Sequence, residues 1–232
     1  YLKQDADPEL QSLILSTLSS LKRYTNEDLK PKYISIIENY SLDLLSKIGT
    51  EPNGKESLKT KELRAIIFRT LSIACENNEY IDKLNEVYSQ YNSNKTSIDP
   101  NMTASAIASV AHYGNEKTYK EYFSKYADGE TPQEKMRFLY SLAEFRDPKL
   151  LDKTLNSSLS EDIKNQDAPY LIAYTLRNYR HSEKTWDFIE NNWAKIVEKF
   201  PDNAFTKSNN MNLIMNLNEW FDLKYEIIYF YN

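Results

Sequence analysis

Histidine, cysteine and paired carboxylates are the residue types that most often carry chemistry, and the chain holds few of the first two. Its histidines, His112 and His181, fall in separate segments, and no His-Glu-x-x-His run sets two imidazoles on one helix face for a metal ion. His112 reads as a core or groove-wall residue, and His181, in a turn before the candidate cap Ser182, as solvated. The single cysteine, Cys75, ends an apolar run that starts at Ala65. It excludes an internal disulfide, and with no histidine near it in sequence it reads as a buried, inert thiol. A Gly-rich phosphate loop and a Gly-x-Ser-x-Gly elbow are both missing from the sequence. The 34 acidic residues are scattered along helical segments, and no two are placed by sequence in one apolar pocket. No catalytic residue and no metal ligand is therefore nominated in this chain.

The elements that position these residues are helices. Only four glycines occur in 232 residues, each between apolar-periodic segments, which disfavours a β-rich fold with its many chain reversals. Asp7-Pro8, Asp99-Pro100, Thr131-Pro132 and Asp147-Pro148 each set a capping side chain before a proline, which suits the first helical position because its missing N–H has no partner there. Thr131-Pro132-Gln133-Glu134 also reads as a capping box, with Glu134 reaching back to the Thr131 amide.

Apolar residues repeat with a period near 3.6 between these starts. Leu10, Leu13, Ile14, Leu18 and Leu21 make the first stripe, and Trp186, Ile189, Trp193, Ile196 and Val197 the last. About ten or eleven helices result. From residue 60 onward they pair as 60–76 with 79–91, 99–113 with 115–127, 131–146 with 148–159, and 166–178 with 182–200. The repeat length of about 35–40 residues is that of HEAT-like hairpins, which bury their faces by stacking on neighbours. The predicted fold is all-α, a superhelix of antiparallel helix pairs spanning 1–232 as one helical-repeat domain, clearest over 60–200.

The formal charge of −5, from 29 basic and 34 acidic residues, comes without a basic stripe, so nucleic acid is not an expected partner. Neither is a membrane, since no apolar run approaches the roughly 20 residues that span a bilayer. The 18 tyrosines and nine phenylalanines cluster at stripe positions such as Tyr119, Tyr122, Phe123 and Tyr126, where they read as core.

One stretch carries more than class-level information. Ile163-Lys164-Asn165-Gln166-Asp167-Ala168 is followed by Leu176-Arg177-Asn178, by Thr185-Trp186-Asp187-Phe188 and by Asn192-Trp193. In residue type and separation this resembles the C-terminal domain of the aminopeptidase N family, where a run like I-[RK]-x-Q-D-A precedes an Asn, then A-W-x-F and N-W. Gln166, Asp167, Asn178, Trp186, Phe188, Asn192 and Trp193 fall on that pattern. Pro132-Gln133-Glu134-Lys135 and Asp147-Pro148-Lys149-Leu150-Leu151 resemble an upstream segment of the same family, so the likeness covers roughly 60–200. The chain departs from the family at Asn178-Tyr179-Arg180-His181 and at Thr103, where members carry Asn-Pro-x-Gly and Arg. The segment from Phe205 to Asn232 is shorter than the helices that usually end such domains.

The resemblance implies a helical domain that closes over the active site of a separate catalytic domain. In that domain zinc is held by His-Glu-x-x-His and a distal Glu. Zinc thus belongs to the parent enzyme, and the implied partners are that catalytic domain and peptide substrates. The resemblance also implies a groove whose arginines hold a peptide carboxylate bidentately, with Arg177 and Arg64 as the nominees. For the motif residues a packing role is expected, with Trp186 and Trp193 as anchors between stacked pairs and Gln166 and Asp167 as acceptors at a helix start. The compartment expected is cytoplasmic, and the archaeal tricorn-interacting aminopeptidases are the niche suggested within the family. The competing reading is a stand-alone HEAT-like scaffold that takes a protein partner in its groove.

Overall fold

The computed structural model describes residues 7–93 and 98–200, and among them every regular element is helical. The chain divides into two compact units, Tyr1–Tyr113 and Gly114–Asn232. The first carries helices α1 (Pro8–Leu21), α2 (Lys30–Ile48), α3 (Leu58–Arg69), α4 (Asn78–Ser93) and α5 (Pro100–Tyr113). The second carries α6 (Glu116–Asp128), α7 (Pro132–Ser141), α8 (Pro148–Ser158), α9 (Ala168–Arg177) and α10 (Ser182–Lys199). The ten described helices thus agree with the all-α reading. The expectations for Phe205–Asn232 lie outside the described residues.

All four proline starts open a helix. The Asp7 carboxylate accepts from the Glu9 amide at 2.9 Å, Asp99 from Asn101 and Met102, Thr131 from Glu134 at 3.1 Å, and Asp147 from Lys149 at 2.9 Å. Each bond satisfies an amide that the first helical turn leaves without a backbone acceptor. The capping box is shifted by one residue from its expected form. The Glu134 carboxylate accepts from the Glu130 amide at 3.0 Å, because the chain doubles back at Gly129 and brings that amide over the helix start.

In the first unit α1 packs on α3, α3 on α5, and α4 on α5. Small residues line the close approach of α3 and α5. Ser105 donates to the Ala65 carbonyl at 2.8 Å, the Ser72 and Ser109 hydroxyls meet at 2.5 Å, and the Tyr113 hydroxyl donates to the Ser72 carbonyl at 2.7 Å. The core around them holds Ile37, Leu44, Leu63, Ile67, Leu71, Leu84 and Ile107. Helix α3 does not continue as expected to residue 76. It passes into a π-helical turn, Thr70–Ala74, and Glu76 then takes a φ of 55° in the left-handed region. The Asn77 amide donates to the Leu71 carbonyl and the buried Lys22 ammonium to the Ala74 carbonyl at 2.6 Å, so one local and one tertiary bond sustain a conformation that a non-glycine residue otherwise avoids.

The face of α1 differs from the sequence expectation. Leu15 and Gln11 are buried, whereas Leu10, Leu13 and Leu21 are exposed. Gln11 can occupy the interior because its side-chain oxygen accepts from the buried Tyr40 hydroxyl, a partner that apolar periodicity does not reveal.

The second unit is built around aromatic contacts. The Tyr122 ring meets Phe138 edge-on at 5.0 Å and Phe145 at 5.9 Å, and Tyr119 meets Phe145 at 5.3 Å. Helix α6 packs on α7, α7 on α9, α8 on α9, and α9 on α10, so the expected pairing of 166–178 with 182–200 is formed. The inward stripe of α10 runs through Ser182, Thr185, Ile189 and Ile196 and on to Phe200. Trp186 is only half-buried and Trp193 is 46% exposed, so the two rings lie at the edge of that stripe rather than at its centre.

Candidate functional site

The two nominated arginines occupy opposite environments. Arg64 is buried on α3, where its Nη1 and Nη2 grip the Glu56 carboxylate at 2.7 and 2.5 Å. Its Nε donates to the Gly49 carbonyl at 2.9 Å and its Nη2 to the Ile48 carbonyl at 3.1 Å. This fork ties the end of α2 and the following loop to α3, and hydrogen bonding from Arg64 holds the Glu56 carboxyl below its ordinary range. Because these bonds engage the guanidinium on both edges, Arg64 serves the fold, and presenting it to a peptide would require breaking them.

Arg177 closes α9 and is exposed, with its guanidinium carbon 6.0 Å from the centre of the Tyr174 ring. Tyr174 is itself exposed and stacks obliquely on Tyr140 of α7 at 4.7 Å. The two rings and the cation form a surface strip shared by α7 and α9. Asp167 is buried at the N-terminus of α9. Its side chain makes no capping bond, and Oδ2 accepts no hydrogen bond from any described residue. Burial pushes this carboxyl above its ordinary range, opposed by a hydrogen bond from Gln166 and by the charge of Lys164. Tyr140 is pushed up to about 12, by burial first and the Asp167 charge second.

The other motif residues are structural in their contacts. The Asn178 side chain donates to the Ala143 carbonyl at 2.8 Å, which moors the end of α9 to the turn after α7. Gln166 is exposed, Phe188 is half-buried, and Asn192 donates to the Phe188 carbonyl of its own helix. His181 is buried rather than solvated. Its Nε2 lies 2.5 Å from the Phe145 carbonyl, and α10 starts at Ser182 with no side-chain cap from His181. His112 is also buried, edge-on to Tyr113 at 4.9 Å. Burial, reinforced by the Glu38 charge, pushes the Cys75 thiol up to about 12, which keeps it from acting as a thiolate near neutral pH.

A feature not foreseen from sequence is an open cleft of about 630 Å³ in the second unit, between α6 and α8. Tyr119 and Phe123, stacked at 6.2 Å, form its floor, and Lys120, Lys153, Asp152 and Asp162 its rim. The weak signal in the sequence was the Tyr119, Tyr122, Phe123 and Tyr126 run, in which Phe123 is the ring that falls off the buried face.

Among the described residues no group of three or more His, Cys, Asp or Glu could hold a metal ion. No described helix is long and apolar enough to cross a membrane.

The described residues thus form an all-α protein of packed helix pairs with an exposed aromatic strip and an open cleft. Residues 1–218 match the ERAP1-like C-terminal domain, and the chain belongs to that family. Over 171 residues it is 29% identical to Aminopeptidase 2 of Candida albicans, covering 71% of this chain and 18% of that protein. Over 197 residues it is 28% identical to the alanine/arginine aminopeptidase of Saccharomyces cerevisiae, covering 80% and 22%. It is 26% identical to mouse Aminopeptidase N over 162 residues, covering 68% and 16%. The chain spans about a fifth of the length of these relatives.

Proposed function

We propose that this chain is the C-terminal domain of a zinc aminopeptidase, closing over the active site of a catalytic domain elsewhere in the same polypeptide and contacting peptide substrates beyond the scissile end. The family membership supports the domain assignment. The observation that carries the substrate role is the exposed Arg177 beside Tyr174 and Tyr140. A guanidinium backed by aromatic rings can bind a carboxylate through two parallel N–H bonds while the rings lie along the peptide. Arg64, engaged by Glu56, has a supporting part in this reading: it fixes the α2–α3 loop. Zinc and the hydrolytic step belong to the catalytic domain, and the cytoplasm is the proposed compartment.

The test is Arg177→Ala in the full enzyme. The substitution raises KM for longer peptides by about tenfold, the loss of one charge-assisted bidentate contact, and leaves a single-residue amide almost unchanged. Equal effects on the two substrates refute the role.

A further inference from the structure

Helix α1 turns much of its apolar stripe away from the core. Gln11 and Leu15 face inward, whereas Leu10, Leu13 and Leu21 are exposed and Ile14 is half-buried. Positions 10, 13, 14 and 21 fall on one flank of a helix with 3.6 residues per turn. Helix α2 does the same with Leu29 and Ile36, two turns apart and each more than half exposed. The two helices run antiparallel, in a register set by the Tyr33 hydroxyl, which donates to the Leu18 carbonyl at 2.9 Å, and by the Tyr40 hydroxyl, which donates to the Gln11 side chain. That register sets Ile36 level with Ile14 and Leu18, and Leu29 level with Leu21. Because α1 and α2 both pack on α3, these side chains share the outer side of the pair and line one apolar groove. Five of the ten large apolar side chains exposed among the described residues lie here, so the groove is a patch rather than a scatter of surface leucines.

The charged groups at both ends of the groove are paired within the chain, Lys59 with Glu9 at 2.7 Å and Lys30 with Glu27 at 2.6 Å, which leaves apolar contact as the means of holding an occupant. A second copy of the chain is a poor match, since a dimer that persists in solution uses about 20–30 residues from each partner, several times what the groove offers. A tethered partner needs far less surface, because the covalent link keeps it at high local concentration. The matching family is a C-terminal domain, and the chain spans about a fifth of the relatives' length, so the bulk of such a polypeptide precedes α1. We propose that the α1–α2 groove seats the domain that precedes α1 in the parent polypeptide, which lays an apolar ridge between Leu10 and Leu13 on one side and Ile36 on the other. The assignment rests on the reading of this chain as the C-terminal domain of a longer protein, and it names the surface that joins the two.

The test places the photo-crosslinking residue p-benzoylphenylalanine at position 13 or 36 of the full-length polypeptide and identifies the joined peptides by mass spectrometry after irradiation. The expected result is a crosslink within one polypeptide, from both positions, to the folded domain upstream of Tyr1. A crosslink to a second copy or to residues after Phe200, or none from either position, overturns the assignment. Leu13→Asp combined with Ile36→Asp gives an independent readout. In the 232-residue chain, where the groove meets water, the pair shifts Tm by less than about 2 °C. In the full-length polypeptide it lowers the Tm of this domain by at least about 5 °C, because carboxylates are set against an apolar ridge or the contact opens. Equal shifts in the two contexts overturn the groove as an interface. A gene that starts near Tyr1 overturns the C-terminal-domain reading and this assignment with it, whereas a multidomain polypeptide that fails the crosslinking test loses the groove assignment alone.

Discussion

Glu56→Gln is a sharp perturbation of the first unit. It keeps the shape of the side chain and removes its charge, leaving Arg64 with a buried cation. The side chains of Arg64 and Glu56 are 1% and 4% exposed, so water cannot replace the lost carboxylate without opening the α2–α3 loop. Removing one partner of a buried pair costs about 3–5 kcal/mol. The lower end, about 3 kcal/mol, applies because Arg64 keeps the Ile48 and Gly49 carbonyls and the glutamine can still accept one bond. For a chain of this size that lowers Tm by roughly 6–12 °C. The pH dependence has a definite sign. Glu56 titrates below its ordinary value near 4.5 in the folded state, so its contribution is complete above that value and is lost as pH falls through the lower folded pKa. Calorimetry of wild type and variant should give Tm values that differ at pH 7 and converge on acidification. A loss under 1 kcal/mol at pH 7, or a gap that is constant with pH, would refute the claim that this pair holds the loop. Arg64→Met with Glu56→Gln should recover part of the loss, since no charge is then left buried.

Asp167 has the opposite sign. Its carboxyl titrates above its ordinary range, so folding loses stability as pH rises from the ordinary aspartate value through the raised one. Asp167→Asn should stabilise the protein by about 1 kcal/mol at pH 7 and by much less in acid, read from denaturation midpoints at the two pH values. Gly129→Ala places a Cβ 2.7 Å from the Lys125 carbonyl oxygen and 2.9 Å from the Lys135 side chain. The turn between α6 and α7 must shift, at a cost of about 1–2 kcal/mol by chemical denaturation. Tyr122→Ala removes the ring shared by Phe138 and Phe145 and should cost about 3–5 kcal/mol, with the Phe138 and Phe145 ring resonances broadening as their neighbour is lost.

Much of the helical layout could be read in advance because its signals are local. Aspartate or threonine before proline fixed four helix starts, and all four caps form with the amides that chain geometry places within reach. What escaped depends on partners distant in sequence. The inward face of α1 is set by a hydrogen bond from Tyr40 to Gln11, across 29 positions, and leucine periodicity pointed to another side of the helix. His181 is buried because the Phe145 carbonyl, 36 positions earlier, meets its Nε2. Arg64 reads as a groove cation from sequence because nothing in the spacing marks Glu56, eight positions earlier and across the start of α3, as its carboxylate partner. The motif from Gln166 to Trp193 identified the family. The separate situations of its members, Asp167 buried and Trp193 exposed, arise from packing between helices that residue spacing does not encode.

The most direct test of the domain assignment is the coding frame upstream of Tyr1, read together with the mass of the mature polypeptide. A frame that continues upstream through His-Glu-x-x-His and a distal Glu, in one polypeptide several times longer than 232 residues, is the predicted result. A mature protein that starts near Tyr1, with no such motif encoded before it, would contradict the peptidase reading and favour a free-standing helical scaffold.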